Sequence, residues 1–363
     1  MTAVADLPTP AVLVDLDRVE RNVAAMAERA RMAGVKLRPH VKTHKVPEIA
    51  RLQRAAGANG LAVAKTSEAE VFADAGFDDL FVAFPVVGAD KGRRLLALAD
   101  RVRLAVGVDS VEGAQTLAAP FHAASRTLDA MLKVDVGLHR VGVAPADAPG
   151  HARRIAAIPG LRLRGVFTHA GHSYSGETPD AVANVGRAEG EILAGVAAAL
   201  ERFGFGPLEV SVGSTPTARH AMKIAGVTEC RPGNYVYHDA SQVSLGTCGL
   251  DDCALTVLAT VVSVPAPGRA VLDAGSKTLS SDPLRPHAVG FGWILGTRSR
   301  LARLSEEHGV IDVAPGDSFR VGQQVRVLPN HACVVSNLHD FVNAVRGDRV
   351  EARFPVAARG CVE

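Results

Sequence analysis

The 363-residue chain sets 40 Lys and Arg against 38 Asp and Glu, a formal charge of +2, with 47% hydrophobic but only 4% aromatic residues. No Lys/Arg block interleaved with aromatics occurs, which excludes a nucleic-acid-binding composition and points to a small-molecule partner. Met1 to Pro8 has no basic stretch leading into an apolar one, and no apolar run reaches the roughly 18 residues of a membrane span, so the expected location is the cytoplasm.

By length the chain suggests about two domains, or one barrel of about 250 residues with an addition. Pro10 to Val14 reads as a strand of either part. The apolar run Val35 to Val41 comes next and carries Lys42 to its end. Further strands are expected at Leu61 to Ala64, Leu80 to Phe84, Val102 to Val106, Leu128 to Val134, Leu163 to Thr168, Leu208 to Val212 and Glu229 to Tyr235. Apolar positions recurring every three or four residues predict helices over Leu16 to Ala33, Val46 to Ala56, Thr66 to Ala75, Asp147 to Ile158 and Pro179 to Phe203. Polar residues at Thr66 and Ser110 open helices, and Gly57, Gly76 and Gly204 stand where helices stop. Strand and helix in alternation predict an α/β fold, a closed (β/α)8 TIM-type barrel over residues 10–243. Lys42, Lys65, Asp135, His169 and Gly213 then fall at the C-terminal strand ends, where barrel chemistry sits.

From about Ser244 the pattern changes to short β-rich segments, among them Ala254 to Val264, Arg269 to Asp273, Ser318 to Leu328, Cys333 to Val335 and Val342 to Val345. This predicts a C-terminal all-β domain over 244–363, which residues 1–9 are free to join. The five cysteines, Cys230, Cys248, Cys253, Cys333 and Cys361, are odd in number and dispersed, which argues against a disulfide framework.

Five stretches carry chemistry. In Arg38 to Lys45 a strand-end Lys42 is placed to form a Schiff base with an aldehyde cofactor: burial desolvates the amine, and Arg38, His40, His44 and Lys45 crowd it with cationic or titratable groups. The plain alternative is a basic surface loop. In Asp135 to Gly142, Arg140 either holds an anionic oxygen of a cofactor or makes a structural ion pair. His169, His172 and Tyr174 gather at one strand end and suit a general base with ring-positioning groups, or ordinary structural histidines. Gly213 to Thr217, with Arg231 to Tyr235 beside them, form a nest of backbone N–H groups that suits a compact monophosphate; the same pattern also caps helices. In Pro329 to Cys333, an extended run would turn His331 and Cys333 to one side, as two ligands of an open, zinc-preferring catalytic site or as buried core residues.

Taken together, Arg38 to Lys45, Gly171 to Tyr174, Gly213 to Thr217, Arg231 to Tyr237, Asp273 to Lys277 and Pro329 to Cys333 resemble the D-threonine aldolase and D-serine dehydratase family, a branch of the alanine racemase-like fold type of pyridoxal phosphate enzymes. The resemblance covers essentially the whole chain. It implies Lys42 as the residue that binds the cofactor covalently, Arg140 near the phenolic oxygen and Tyr174 near the ring. It further implies Gly213, Ser214, Thr215, Gly233 and Asn234 around the phosphate, His172 as an acid/base, and His331 with Cys333 as metal ligands. Zinc is the favoured ion, with manganese or magnesium as alternatives. A homodimer, with β-domain residues near a barrel mouth, is implied as well.

The expected activity is that of a pyridoxal phosphate- and metal-dependent lyase acting on D-β-hydroxy-α-amino acids. The Cys333 thiolate resembles the dehydratase branch and favours dehydration; retro-aldol cleavage to glycine and an aldehyde is the alternative. A racemase would need a second base and no metal, and a non-catalytic pyridoxal phosphate-binding protein would usually lack the β domain.

Overall fold

The computed structural model describes residues 2–287 and 289–363. Strand β1 (Ala11–Asp15) leads into the helix Leu16–Met32, which Asp15 caps by accepting the Arg18 N–H at 3.1 Å. Then follow β2 (Lys36–Leu37), β3 (Leu61–Val63), β4 (Asp79–Pro85), β5 (Arg103–Val108), β6 (Leu128–Lys133), β7 (Leu161–Phe167), β8 (Glu209–Val212) and β9 (Glu229–Cys230), each joined to the next through helix. They pair in parallel in the order β2-β9-β8-β7-β6-β5-β4-β3. The ring closes where His40 bridges Ala62 in parallel and the Ala62 N–H donates to the Pro39 carbonyl at 2.8 Å.

All eight expected barrel strands are present, and the expected helices lie within two residues of their bounds, except that Asp147 belongs to a short 3-10 turn before its helix. Two strands are much shorter than their apolar runs. Pro39 and Pro232 supply no N–H to a ladder, so β2 and β9 stop after two residues and the chain turns inward. Lys42, expected at a strand end, consequently lies in the 3-10 turn Val41–Thr43, past the end of β2 at Leu37.

The second sheet adds β10 (Leu255–Ala266), β11 (Arg269–Leu272), β12 (Gly292–Ile294), β13 (Arg300–Leu304), β14 (Gly309–Asp312), β15 (Gln324–Pro329), β16 (Phe341–Arg346) and β17 (Arg349–Pro355), in the order β11-β14-β13-β12-β15-β10-β1-β16-β17. The placement that the sequence left open is thereby decided: β1 lies between β10, antiparallel, and β16, parallel. The sheet thus begins with the chain's first strand and resumes after the barrel. Cys333 to Val335, expected as β, belongs instead to the helix Ala332–Leu338. Trp293 sits on β12 against the cluster of Cys253 and Leu328, with the Arg300 guanidinium 5.7 Å from its ring.

Inside the barrel, Phe81, Ala105, Met131 and Phe167 form an apolar layer, with the two phenyl rings edge to face at 5.0 Å. Beside it runs a buried polar chain. Arg38 donates to Asp79 Oδ1 at 2.6 Å and to Glu229 Oε2 at 2.7 Å; Ser211 donates to Glu229 Oε1 at 2.6 Å; and Arg231 Nε donates to the Ser211 hydroxyl at 2.7 Å. Gly60 leaves the space: a Cβ there would lie 2.2 Å from Arg38 Nη1. Burial opposes ionisation of Asp79, but the hydrogen bond from Arg38 and the charges of Arg38, Arg103 and Arg164 outweigh it and lower its pKa.

Arg38→Met should leave the buried Glu229 carboxylate without a cation and Asp79 with only Arg103, and cost about 3–5 kcal/mol, read as a lower urea midpoint. In the wild type, the folded Asp79 carboxyl titrates below its unfolded value of about 4. Its stabilisation is therefore fully present above that pH and lost as pH falls through the folded value. The Arg38→Met protein, in which Arg103 still pairs with Asp79, should show a smaller acid-side loss.

Candidate active site

The site lies at the C-terminal mouth of the barrel. In the turn that carries Lys42, the His40 imidazole accepts the Lys42 N–H at 3.4 Å. Burial lowers the Lys42 pKa; Cys333 and Glu68 pull it back up, while Arg140 and Arg231 push it further down. The charges that act on Lys42 are therefore not those adjacent in sequence. His40 and His44 are buried and held neutral by desolvation, His44 at a pKa of about 4. His44 is structural: its Nδ1 accepts the Val46 N–H and its Nε2 donates to Gln53, which bonds Tyr235. Arg38 is tied to Asp79 and Glu229.

Arg140 follows β6 in a loop organised by Asp135, whose carboxylate accepts the N–H groups of Gly137 and His139. Among the described residues Arg140 has no ion-pair partner, so the structural-pair alternative is not realised. Its place in the loop after the C-terminal end of β6 puts it at the mouth, where its positive charge lowers the pKa of Lys42, Lys133 and His169. His169 donates from Nδ1 to the Gly213 carbonyl at 2.7 Å, and burial keeps it neutral. His172 faces Gly137 and has an Nδ1 without a partner among the described residues. The Tyr174 hydroxyl accepts from Gln242 at 3.2 Å, and burial raises its pKa.

Opposite lies the nest. Gly213 is fully engaged, its N–H on Glu189 and its carbonyl on His169, and its lack of a side chain lets Arg231 pass 3.0 Å from where a Cβ would stand. The N–H groups of Ser214, Thr215, Gly233 and Asn234 have no protein acceptor among the described residues. A Cβ on Gly233 would meet the His40 carbonyl and Thr43 Oγ1, both at 2.9 Å, so this glycine lets the nest sit directly against the lysine turn. Four free donors beside a buried amine and an unpaired guanidinium fit a phosphorylated aldehyde.

The β domain reaches the same place. His331 and Cys333 come together by a route other than the extended segment expected: His331 immediately precedes the helix Ala332–Leu338, without a side-chain capping bond, and Cys333 lies on its first turn. The Cys333 thiol is 3.3 Å from Thr43 Oγ1 and 3.7 Å from Asn234 Nδ2, between the lysine turn and the nest. Burial opposes charge on both members, yet each holds the other ionised, His331 raised and Cys333 lowered. Asp282 accepts from His331 Nδ1 at 2.6 Å, leaving Nε2 for an ion, the outer-shell arrangement usual for a metal-binding histidine. Among the described residues no group of three His, Cys, Asp or Glu converges, so a metal here would complete its shell with water or substrate.

Sequence reading missed several participants. Arg231 sits over the Phe167 and Phe81 rings at 5.3 and 5.6 Å, held by Ser211 and the Thr168 carbonyl. Lys133 lies 4.6 Å over Phe167. Asp239, fully buried, accepts from Asn234, Ala332 and Gln242, tying the nest to the helix of Cys333. An Asp before Ala240-Ser241-Gln242 carried a capping signal; Asp282 carried none.

Comparison with known proteins agrees with this geometry. The family model "Alanine racemase, N-terminal domain" matches residues 14–241, and a serine dehydratase domain model matches 254–345. The chain is 37% identical to D-threo-3-hydroxyaspartate dehydratase of Delftia sp., over 94% of this chain and 95% of that one. It is 32% identical to D-serine dehydratase of Dictyostelium discoideum, over 94% of each. The crystal structure of D-threonine aldolase from Filomicrobium marinum superposes with a TM-score of 0.91 at 35% identity, covering 99% of this chain and 98% of that one. The Delftia dehydratase superposes equally well, at 36% identity over 98% of this chain and 99% of that one. Its solved variants include a histidine-to-alanine form and a cysteine-to-alanine form, the latter metal-free. The protein is an alanine racemase-like enzyme of the pyridoxal phosphate-dependent lyase class. It belongs to the D-threonine aldolase and D-serine dehydratase family.

Gly233→Ala should displace the turn of Lys42, since neither the His40 carbonyl nor the Thr43 hydroxyl has room to move far. Equilibrium titration with pyridoxal phosphate should show affinity falling at least about tenfold, the equivalent of 1.4 kcal/mol, with the fold retained by circular dichroism.

Proposed function

We propose that this enzyme dehydrates D-β-hydroxy-α-amino acids to a keto acid and ammonia, in the manner of a D-serine dehydratase. The observation that carries the reading is the Cys333 thiol 3.3 Å from Thr43 Oγ1, which brings a thiolate–imidazole pair beside the lysine turn. When bound, pyridoxal phosphate supplies an electron sink for the substrate's α carbon and a divalent ion, zinc by preference for a thiolate, supplies Lewis acidity toward the β-hydroxyl.

Around them this chain's residues have distinct tasks. The Lys42 amine binds the cofactor and takes the α proton. The N–H groups of Ser214, Thr215, Gly233 and Asn234 receive the phosphate, with Gly213 providing clearance. Arg140 stands toward the phenolic oxygen, and neutral His169 with Tyr174 borders the ring. His331 and Cys333 hold the ion, and Asp282 fixes the His331 ring. The variants of the Delftia dehydratase support this pair, because a histidine and a cysteine two positions apart are the residues replaced there. Five free cysteines suit a reducing cytoplasm, and the homodimer rests on the family resemblance.

A second reading, retro-aldol cleavage to glycine and an aldehyde, is favoured by His172, whose partnerless Nδ1 gives it capacity to take a proton from a β-hydroxyl. Product analysis on zinc-loaded enzyme with D-serine, D-threonine and D-3-hydroxyaspartate separates the two. Keto acid and ammonia are expected, whereas glycine with an aldehyde would replace the first reading by the second. Lys42→Ala should lose the visible absorbance of the lysine-bound cofactor, and an unchanged spectrum would remove Lys42 from its role. Asp282→Asn should weaken zinc affinity about 10–100-fold and leave that absorbance intact.

A further inference from the structure

Lys45 ends the turn that carries Lys42. Its N–H closes the turn by donating to the Val41 carbonyl at 2.8 Å, and its backbone is left-handed at φ 56°. A non-glycine residue adopts that conformation at a cost, and keeps it only where its surroundings hold it there. Here one stretch of chain does so. Lys45 is buried, its carbonyl accepts the Ala358 N–H at 3.2 Å, and its ammonium donates to the carbonyls of Ala358 and Cys361 at 3.2 and 3.3 Å.

That stretch is itself fastened on both sides of Lys45. Toward the β domain, the Val356 N–H donates to the Asp340 carbonyl at 2.8 Å, Arg359 Nε lies 2.8 Å from Asp340 Oδ1, and the Gly360 N–H donates to Asn337 Oδ1 at 3.3 Å. Toward the barrel, the Ser67 N–H and hydroxyl both donate to the backbone oxygen of Glu363, at 3.2 and 3.1 Å. Asn337 belongs to the helix Ala332–Leu338, whose first turn sets Cys333 against Thr43. One helix therefore grips the lysine turn twice: directly at Thr43 from its start, and at Lys45, through residues 358–361, from its end. Neither grip uses the Lys42 side chain. We propose that Lys45 is a positioning residue and residues 358–361 a strap, which together hold the Lys42 backbone so that its amine, when not bound to the cofactor, stays within reach of the substrate's α carbon. This rests on the role of Lys42 given above.

The test releases the strap at a distance from the turn. Asn337→Ala combined with Arg359→Ala removes both side-chain anchors on the β-domain side. In full-length protein stripped of cofactor, backbone amide exchange across residues 41–45 should then quicken by about fivefold or more, although neither replaced side chain bonds to those residues. Lys45→Met should do the same, Lys45→Arg should recover part of the protection, and adding Lys45→Met to the strap variant should change little, because all act through one link. In cofactor-loaded enzyme the strap variant should lower kcat on D-serine by about threefold or more at unchanged KM. Lys45→Met also removes the cation 4.0 Å from Glu68, so the strap variant decides, and it decides alone if Lys45→Met does not fold. Unchanged exchange across 41–45 in that variant would overturn the inference, and so would faster exchange with kcat intact. Failure of the underlying reading looks different, because Lys42→Ala would then take up the cofactor with wild-type absorbance.

Discussion

The structure depends on one constraint: a guanidinium, Arg38, buried in the barrel at the seam where the ring of strands closes. A buried charge of this kind persists only if it is paired and fully hydrogen-bonded. Asp79 on β4 and Glu229 on β9 meet that need, and together they tie the closing strand β2 to strands on both sides of it. The obligation passes onward. Glu229 engages Ser211, Ser211 engages Arg231, and Arg231 stands over the Phe167 ring at the floor of the active site. Barrel closure and the placement of a site cation are thus two ends of one hydrogen-bonded chain.

The β domain is held to the barrel by chain order as well as by contact. β1 precedes the barrel in sequence yet lies in the middle of the second sheet, between β10 and β16, so the sheet cannot complete itself without both ends of the chain. Asp239 then links the two at the site. From the barrel side it receives Asn234, and from the β-domain side the Ala332 N–H, one residue from each proposed metal ligand. A carboxyl pushed toward its neutral form by burial remains there because three donors satisfy it. The distance between the nest and the His331–Cys333 pair is fixed by this link rather than by loop length.

Much of this was legible in the sequence, because period-3.6 and period-2 patterns report burial directly: every barrel strand and the β-rich end were marked by them. What the pattern could not report was where backbone donors run out. Pro39 and Pro232 shorten two strands that their apolar neighbours would extend, and so turn Lys42 and Asn234 inward. The helix at Ala332–Leu338 was hidden for a related reason, since Ala-Cys-Val-Val reads equally well as strand and helix when the run is short. The site residues were legible as types but not as charges. His40 and His44 look like cations beside Lys42, and burial makes them neutral. Arg231, nearly two hundred positions away, and Arg140 supply the positive field instead.

That exchange of near neighbours for distant ones has a consequence for how the lysine works. The roles proposed for Lys42, reacting as a free amine and carrying a proton, need a basicity between extremes, and no single neighbour sets it. Burial and two guanidiniums favour the amine; a thiolate and one carboxylate favour the ammonium. Each of the four lies on a different element: the loop after β6, the chain just past β9, the helix after β3, and the first turn after β15. Because those elements are positioned by barrel closure and by the Asp239 link, the proton affinity of Lys42 is a property of the whole fold. An unperturbed lysine would be protonated at neutral pH; the pKa of this one is lowered by burial and by Arg140 and Arg231, against the opposing pull of Cys333 and Glu68.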